Sequence, residues 1–251
     1  MRLLAALFVL QSPPSERVEL LAGLDTLYAG RFEAAARRFA ELAAKDTTHP
    51  AAVIFQAGAY IWWAAAREDD DFERHRVDSL LDLAIRRAEV AGDEFWIATA
   101  YGYRGRQREL HGGALGAAKD AKRMRDAYRR VLAADSSRVD CYLGLGLYDY
   151  GLARVGALAR LFAKIIGLGS GDAERGIRYL RRAAQDGHLA RVEATWVLAS
   201  ALAREARRDR RGRAVLLGEA RGYVLRLRER YPDNPVFLRF LERVPPPEPV
   251  P

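Results

Sequence analysis

Gly30-Arg31-Phe32-Glu33-Ala34-Ala35-Ala36-Arg37-Arg38-Phe39-Ala40-Glu41-Leu42-Ala43-Ala44-Lys45-Asp46-Thr47-Thr48-His49-Pro50 is the stretch whose reading decides the fold. Phe32, Ala35, Phe39 and Leu42 recur at helical spacing, so the segment buries a single stripe. Gly30 stops the helix before it, the Asp46 turn stops this one, and Pro50 opens the next at a position where a missing amide costs nothing. The same punctuation returns at Asp135-Ser136-Ser137 and at Tyr231-Pro232-Asp233-Asn234-Pro235, each time closing an Ala- and Arg-rich amphipathic stretch. A stack of helix pairs follows.

Working outward, the spacing predicts helices over about Ser15 to Ala29, Arg31 to Lys45, Pro50 to Arg67, Phe72 to Ala91, Asp93 to Leu110 and Ala114 to Ala134. A seventh starts near Arg138 and carries Tyr142, Leu145, Gly146, Tyr148 and Tyr150. A further amphipathic stretch, 152–166, then precedes Gly167-Leu168-Gly169-Ser170-Gly171. The remaining helices are expected over Asp172 to Gln185, Leu189 to Arg207, Arg213 to Arg230 and Pro235 to Arg243. Residues 245–251 hold too many prolines for a helix and read as an extended tail.

Half of the 251 residues are hydrophobic, enough for a continuous core, and no run alternates polar with apolar for long, so helix is favoured over strand throughout. The formal charge is +8. Its arginines are spread beside acids, as in Glu33/Arg37 and Arg228/Glu229, which is how solvated helix faces look. The dense block from Arg204 to Arg213 reads as a solvated inter-helix turn in preference to a polyanion site, so nucleic acid is disfavoured as a partner, and a basic helical-repeat protein that binds RNA or an anionic membrane surface is the alternative to a protein-binding scaffold. Cys141, the sole cysteine, sits among Tyr142, Leu143 and Leu145 and reads as a small buried hydrophobe.

Met1-Arg2 followed by eight apolar residues has the charged start and short apolar core of a secretory signal, placed at residues 1–12. Export to the periplasm or envelope of a bacterium is the expectation. A first hydrophobic helix docked on the stack, and a cytoplasmic protein, is the alternative.

Helix pairs at a period near 34 residues resemble tetratricopeptide repeats. Gly23 matches the glycine of the first helix, Gly30 the inter-helix turn, Phe32, Ala35 and Phe39 the aromatic and small positions of the second helix, and Asp46 the closing turn. Thr47 stands where the family has proline. Tyr142, Leu145, Gly146 and Ala183 fit a later unit, and Ala220 and Pro232 the last, whereas the stretch from Leu152 to Ser170 departs from the family's short turn. The resemblance implies an all-α, right-handed helix-hairpin solenoid over residues 13–244, with an interposed amphipathic helix and a C-terminal capping helix. It also implies that first helices line a concave, protein- or peptide-binding groove.

No catalytic set emerges. His49, His75, His111 and His188 fall in turns or at helix ends without a second ligand at metal spacing, so neither metal nor cofactor is expected and the chain does not read as an enzyme. The glycine run at 167–171 follows no strand and precedes no Lys-Ser or Lys-Thr pair, so it reads as a flexible lead-in to a helix. Aromatics cluster on three of the proposed first helices. Trp63, Trp96, Tyr103, Arg104 and Tyr148 are therefore the candidate groove residues for a protein or peptide partner. Residues 152–166, apolar with Arg154, Arg160 and Lys164, are the candidate for peripheral membrane contact.

Overall fold

The computed structural model describes residues 14–156 and 167–246. Signal segment 1–12, most of the amphipathic stretch 152–166 and the end of the tail lie outside the described residues. Those described form eleven helices and no strand. In chain order they are α1 (Pro14–Tyr28), α2 (Phe32–Lys45), α3 (Ala51–Arg67), α4 (Arg74–Ala91), α5 (Glu94–Leu110), α6 (Ala114–Ala134), α7 (Cys141–Arg154), α8 (Ala173–Asp186), α9 (Arg191–Glu205), α10 (Arg213–Arg230) and α11 (Pro235–Arg243).

Consecutive helices pack as hairpins, and α1, α3, α5 and α7 each also touch the next first helix along. That alternation is the all-α hairpin stack the sequence predicts. In the first hairpin, a methyl group on Gly23 would stand 2.5 Å from the Phe39 ring, so only glycine lets α1 and α2 close around it. Gly30 turns the chain between them at φ +80°, a backbone region that side chains with a Cβ avoid.

The punctuating acids act through their side chains. Asp46 Oδ1 accepts from the amides of Thr48 at 2.8 Å and His49 at 3.1 Å, and Asp135 Oδ1 accepts from Ser137 N at 2.9 Å. Asn234 Oδ1 accepts from Val236 N at 3.0 Å and caps α11. Hydrogen bonds from Thr48 and from Ser137 hold the Asp46 and Asp135 carboxyls below the usual carboxylate range.

Two helix starts differ from expectation. α4 begins at Arg74, not Phe72, because Phe72 lies edge-on against Trp63 at 4.9 Å, and the chain reaches the helix through Glu68 and Glu73 at φ +57° and +54°. α7 begins at Cys141, because Asp140 is drawn to the α8–α9 turn, where its Oδ1 accepts from His188 N at 2.7 Å and Ala190 N at 3.1 Å. Cys141 is fully buried, and burial pushes its thiol up to about 12.

The last helix returns to the first hairpins. Asn234 Nδ2 donates to Tyr28 O at 2.8 Å, and Tyr231 Oη to Asp25 Oδ1 at 2.6 Å. Arg239 donates to the α3 carbonyls of Ala65 at 3.1 Å and Ala66 at 2.8 Å, while Arg243 pairs with Glu68. Between these polar ties runs an aromatic column: Trp62 stands 5.4 Å from Tyr28, 5.9 Å from Phe237 and 6.1 Å from Trp196. Phe237 is fully buried there, which contributes roughly 2–3 kcal/mol. The stack is thus closed on itself.

Candidate binding sites on the helical stack

The five candidate groove residues do not share a surface. Trp63 turns toward α4, stacked on Tyr60 at 6.3 Å and covered by Phe72. It is Trp62, the adjacent residue, that faces the aromatic column. Trp96 is buried at the start of α5 against Phe55 at 5.8 Å and His49 at 5.6 Å. Arg104 holds Asp120 through two hydrogen bonds, Nε at 3.0 Å and Nη2 at 2.9 Å, and reaches Asp82 at 2.9 Å. Tyr148 is buried, donates to Leu168 O at 2.5 Å and accepts from Arg125 Nη1 at 2.7 Å. Each is engaged inside the protein.

Tyr103 points across the inner face to α9, where its hydroxyl donates to Glu193 Oε2 at 2.5 Å. No sequence signal marked Glu193. Burial raises its carboxyl above the usual carboxylate range, against the opposing hydrogen bond from Tyr103 and the field of Arg106. The phenol of Tyr103 is pushed up well beyond its ordinary value for the same reason, loss of water. With Tyr28 and the Trp62–Trp196 pair alongside, this face is lined by rings packed on one another, with Tyr103, Glu193 and Trp196 half-buried.

Open space lies elsewhere, between second helices. A cleft of about 160 Å³ is formed by α6, α7 and α8 and lined by Arg125, Arg129, Tyr142, Tyr148, Arg175 and Tyr179. Arg175 Nε donates to Asp149 at 2.6 Å, and Arg125 is spent on Tyr148, Asp126 and Leu168 O. Arg129 is exposed and makes no hydrogen bond or ion pair among the described residues, and the hydroxyls of Tyr142 and Tyr179 donate to none of them. Those two rings lie 5.0 Å apart, with Arg182 over Tyr142 at 4.6 Å. Chemically, this is a positive cleft with two phenol donors to spare.

One hairpin further on, α8, α9 and α10 enclose a second cleft of about 290 Å³ lined by Arg191, Tyr223, Arg226, Arg230 and Tyr231. Arg226 covers Tyr223 at 4.8 Å and Arg230 covers Tyr231 at 5.2 Å. Arginine and tyrosine therefore recur in the same structural position of two successive units. Sequence reading missed both clefts, although Tyr179 has Arg175 and Arg182 at helical spacing on its own helix.

Among the described residues no cluster of three or more His, Cys, Asp or Glu could hold a metal ion, and no helix is long and apolar enough to cross a membrane. Comparison with protein-family models, with curated proteins and with solved structures finds no match.

Proposed function

We propose that this protein is a non-catalytic scaffold that binds a protein partner through an acidic segment, laid across the two arginine- and tyrosine-lined clefts on either side of α8. The observation that carries this reading is Arg129 beside the Tyr142 and Tyr179 phenols, none of which has a hydrogen-bond partner among the described residues, in a cleft whose arginine and tyrosine lining returns one hairpin later, where Arg226 and Tyr223 are likewise without one while Arg230 and Tyr231 hold Asp25. Guanidinium and phenol donors converging on one small space suit a carboxylate, and Leu132 and Leu145 on the same wall suit an apolar neighbour of that carboxylate. The inner face, the site a free solenoid would offer, is filled by Trp196 and by Phe237 of α11.

The glycine-in-ring contact of Gly23 with Phe39 supports relating the helix pairs to tetratricopeptide units. The charged and apolar start of residues 1–12 supports action in the cell envelope, which secretion of a reporter fused to those residues tests.

The binding reading is tested by affinity capture and crosslinking from the native host with three forms of the full chain: the natural sequence, Arg129→Glu with Tyr179→Ala, and Trp63→Ala. The account expects partners to be lost at least about ten-fold with the cleft variant and kept with Trp63→Ala. Retention by the first and loss by the second would place the site on the α3 side instead.

A further inference from the structure

The segment from the last turn of α9 to the first residue of α10 carries Arg204, Arg207, Arg208, Arg210, Arg211 and Arg213, all exposed. None of the six guanidiniums has a carboxylate or carbonyl partner among the described residues. The two acids within the turn are both occupied. Glu205 is held by Arg154 and by Tyr150 Oη at 2.9 Å, and Asp209 Oδ1 accepts from the amides of Arg211 and Gly212, both at 3.0 Å. The turn is ordered by its aspartate: a methyl group on Gly212 would meet Asp209 Oδ2 at 2.3 Å. A solvated loop would have no need to hold six like charges on one fixed tip.

We propose that this turn docks the protein on an anionic lipid bilayer. The charge is concentrated at a tip and not along a channel, and no aromatic residue lies between Arg204 and Leu216 on which a base could stack, which sets the turn apart from a single-strand site. Val215, in the first turn of α10, is 73% exposed beside Arg213, the pairing of an apolar side chain with basic neighbours that suits the headgroup region. The Arg154–Glu205 pair also ties the end of α7 to this turn. Two of the acids of the α3–α4 turn have cationic partners of their own, Glu68 with Arg239 and Arg243, and Asp71 with Arg74 and His111.

The test is co-sedimentation of the full chain with phosphatidylcholine vesicles, with and without phosphatidylserine, at low and at physiological salt. Beside the natural sequence it uses Arg207→Gln, Arg208→Gln, Arg210→Gln and Arg211→Gln combined, and the cleft variant Arg129→Glu. The natural chain is expected to sediment only with the phosphatidylserine vesicles, less so as salt rises, and the four-arginine variant to bind at least about 100-fold more weakly. Arg129→Glu should sediment as the natural chain does, which separates this surface from the peptide clefts. The four changed side chains are exposed, and an unchanged thermal unfolding midpoint establishes that the variant is folded. No sedimentation with phosphatidylserine at low salt, equal sedimentation of the four-arginine variant, or tighter binding to single-stranded RNA than to vesicles would each overturn the proposal.

Discussion

Glu193 is the residue whose environment says most about the inner face. A carboxyl surrounded by Tyr28, Tyr103 and α9 itself loses its water, and the single phenol hydrogen bond does not restore it, so its proton is held more tightly in the folded than in the unfolded chain. The sign follows from linkage: the stability it contributes is fully present below the unfolded value near 4.5 and is lost as pH rises through the raised folded value. Glu193→Gln keeps an oxygen to accept from Tyr103 and removes the charge. Urea unfolding across pH should find the variant more stable than the natural chain at neutral pH, with the gap closing toward acid; a gap independent of pH, or one that opens in acid, would show the carboxylate to be solvated. Asp46 and Asp135, with folded values held down by Thr48 and Ser137, act in the opposite sense and lose their contribution as pH falls. Those two were legible in the sequence, since an acid followed by Thr or Ser two residues later is a local turn motif. Glu193 was not, because the residue that meets it lies ninety positions earlier in the chain.

At the scale of the element, α3 and α11 explain each other. From Ala51 to Ala66, α3 carries Gln56 as its one strongly polar side chain, and twelve of its residues are buried. A helix that is apolar on every side cannot border an open groove; it needs neighbours all round, and it has them in α1, α2, α4, α5 and α11. The all-round apolar character of α3 was in the sequence, and the expectation of an open concave face passed over it. What the sequence could not supply was the occupant. α11 has Val236, Phe237 and Phe240 buried on one face, as an amphipathic capping helix should, but nothing local distinguishes a cap on α10 from a bridge to α3. Phe237→Ala should cost about 3–5 kcal/mol, because Trp62, Trp196, Tyr231 and the fully buried ring position leave no room to collapse into the space. Denaturant unfolding measures it directly. A loss under about 1 kcal/mol would mean that α11 is a peripheral cap.

At the scale of the whole molecule, the hairpin order and most helix boundaries of the described residues were legible, because each depends on local spacing and capping. The curvature was not, since it depends on how far the first and last turns of the chain approach. A methyl group on Gly30, in the turn between α1 and α2, would lie 3.1 Å from Asp233 O in the turn between α10 and α11. In the proposed binding reading, this contact sets which faces are open to a partner. If the ends meet, the aromatic interior is closed and the arginine- and tyrosine-lined clefts between second helices are the places left for a guest. Spin labels on cysteines placed at the exposed positions Arg31 and Asp233, with Cys141 buried and unreactive, report that approach by double electron–electron resonance. A single short distance in a narrow distribution is the predicted result; a long or broad distribution would show an open helical stack with its inner face free.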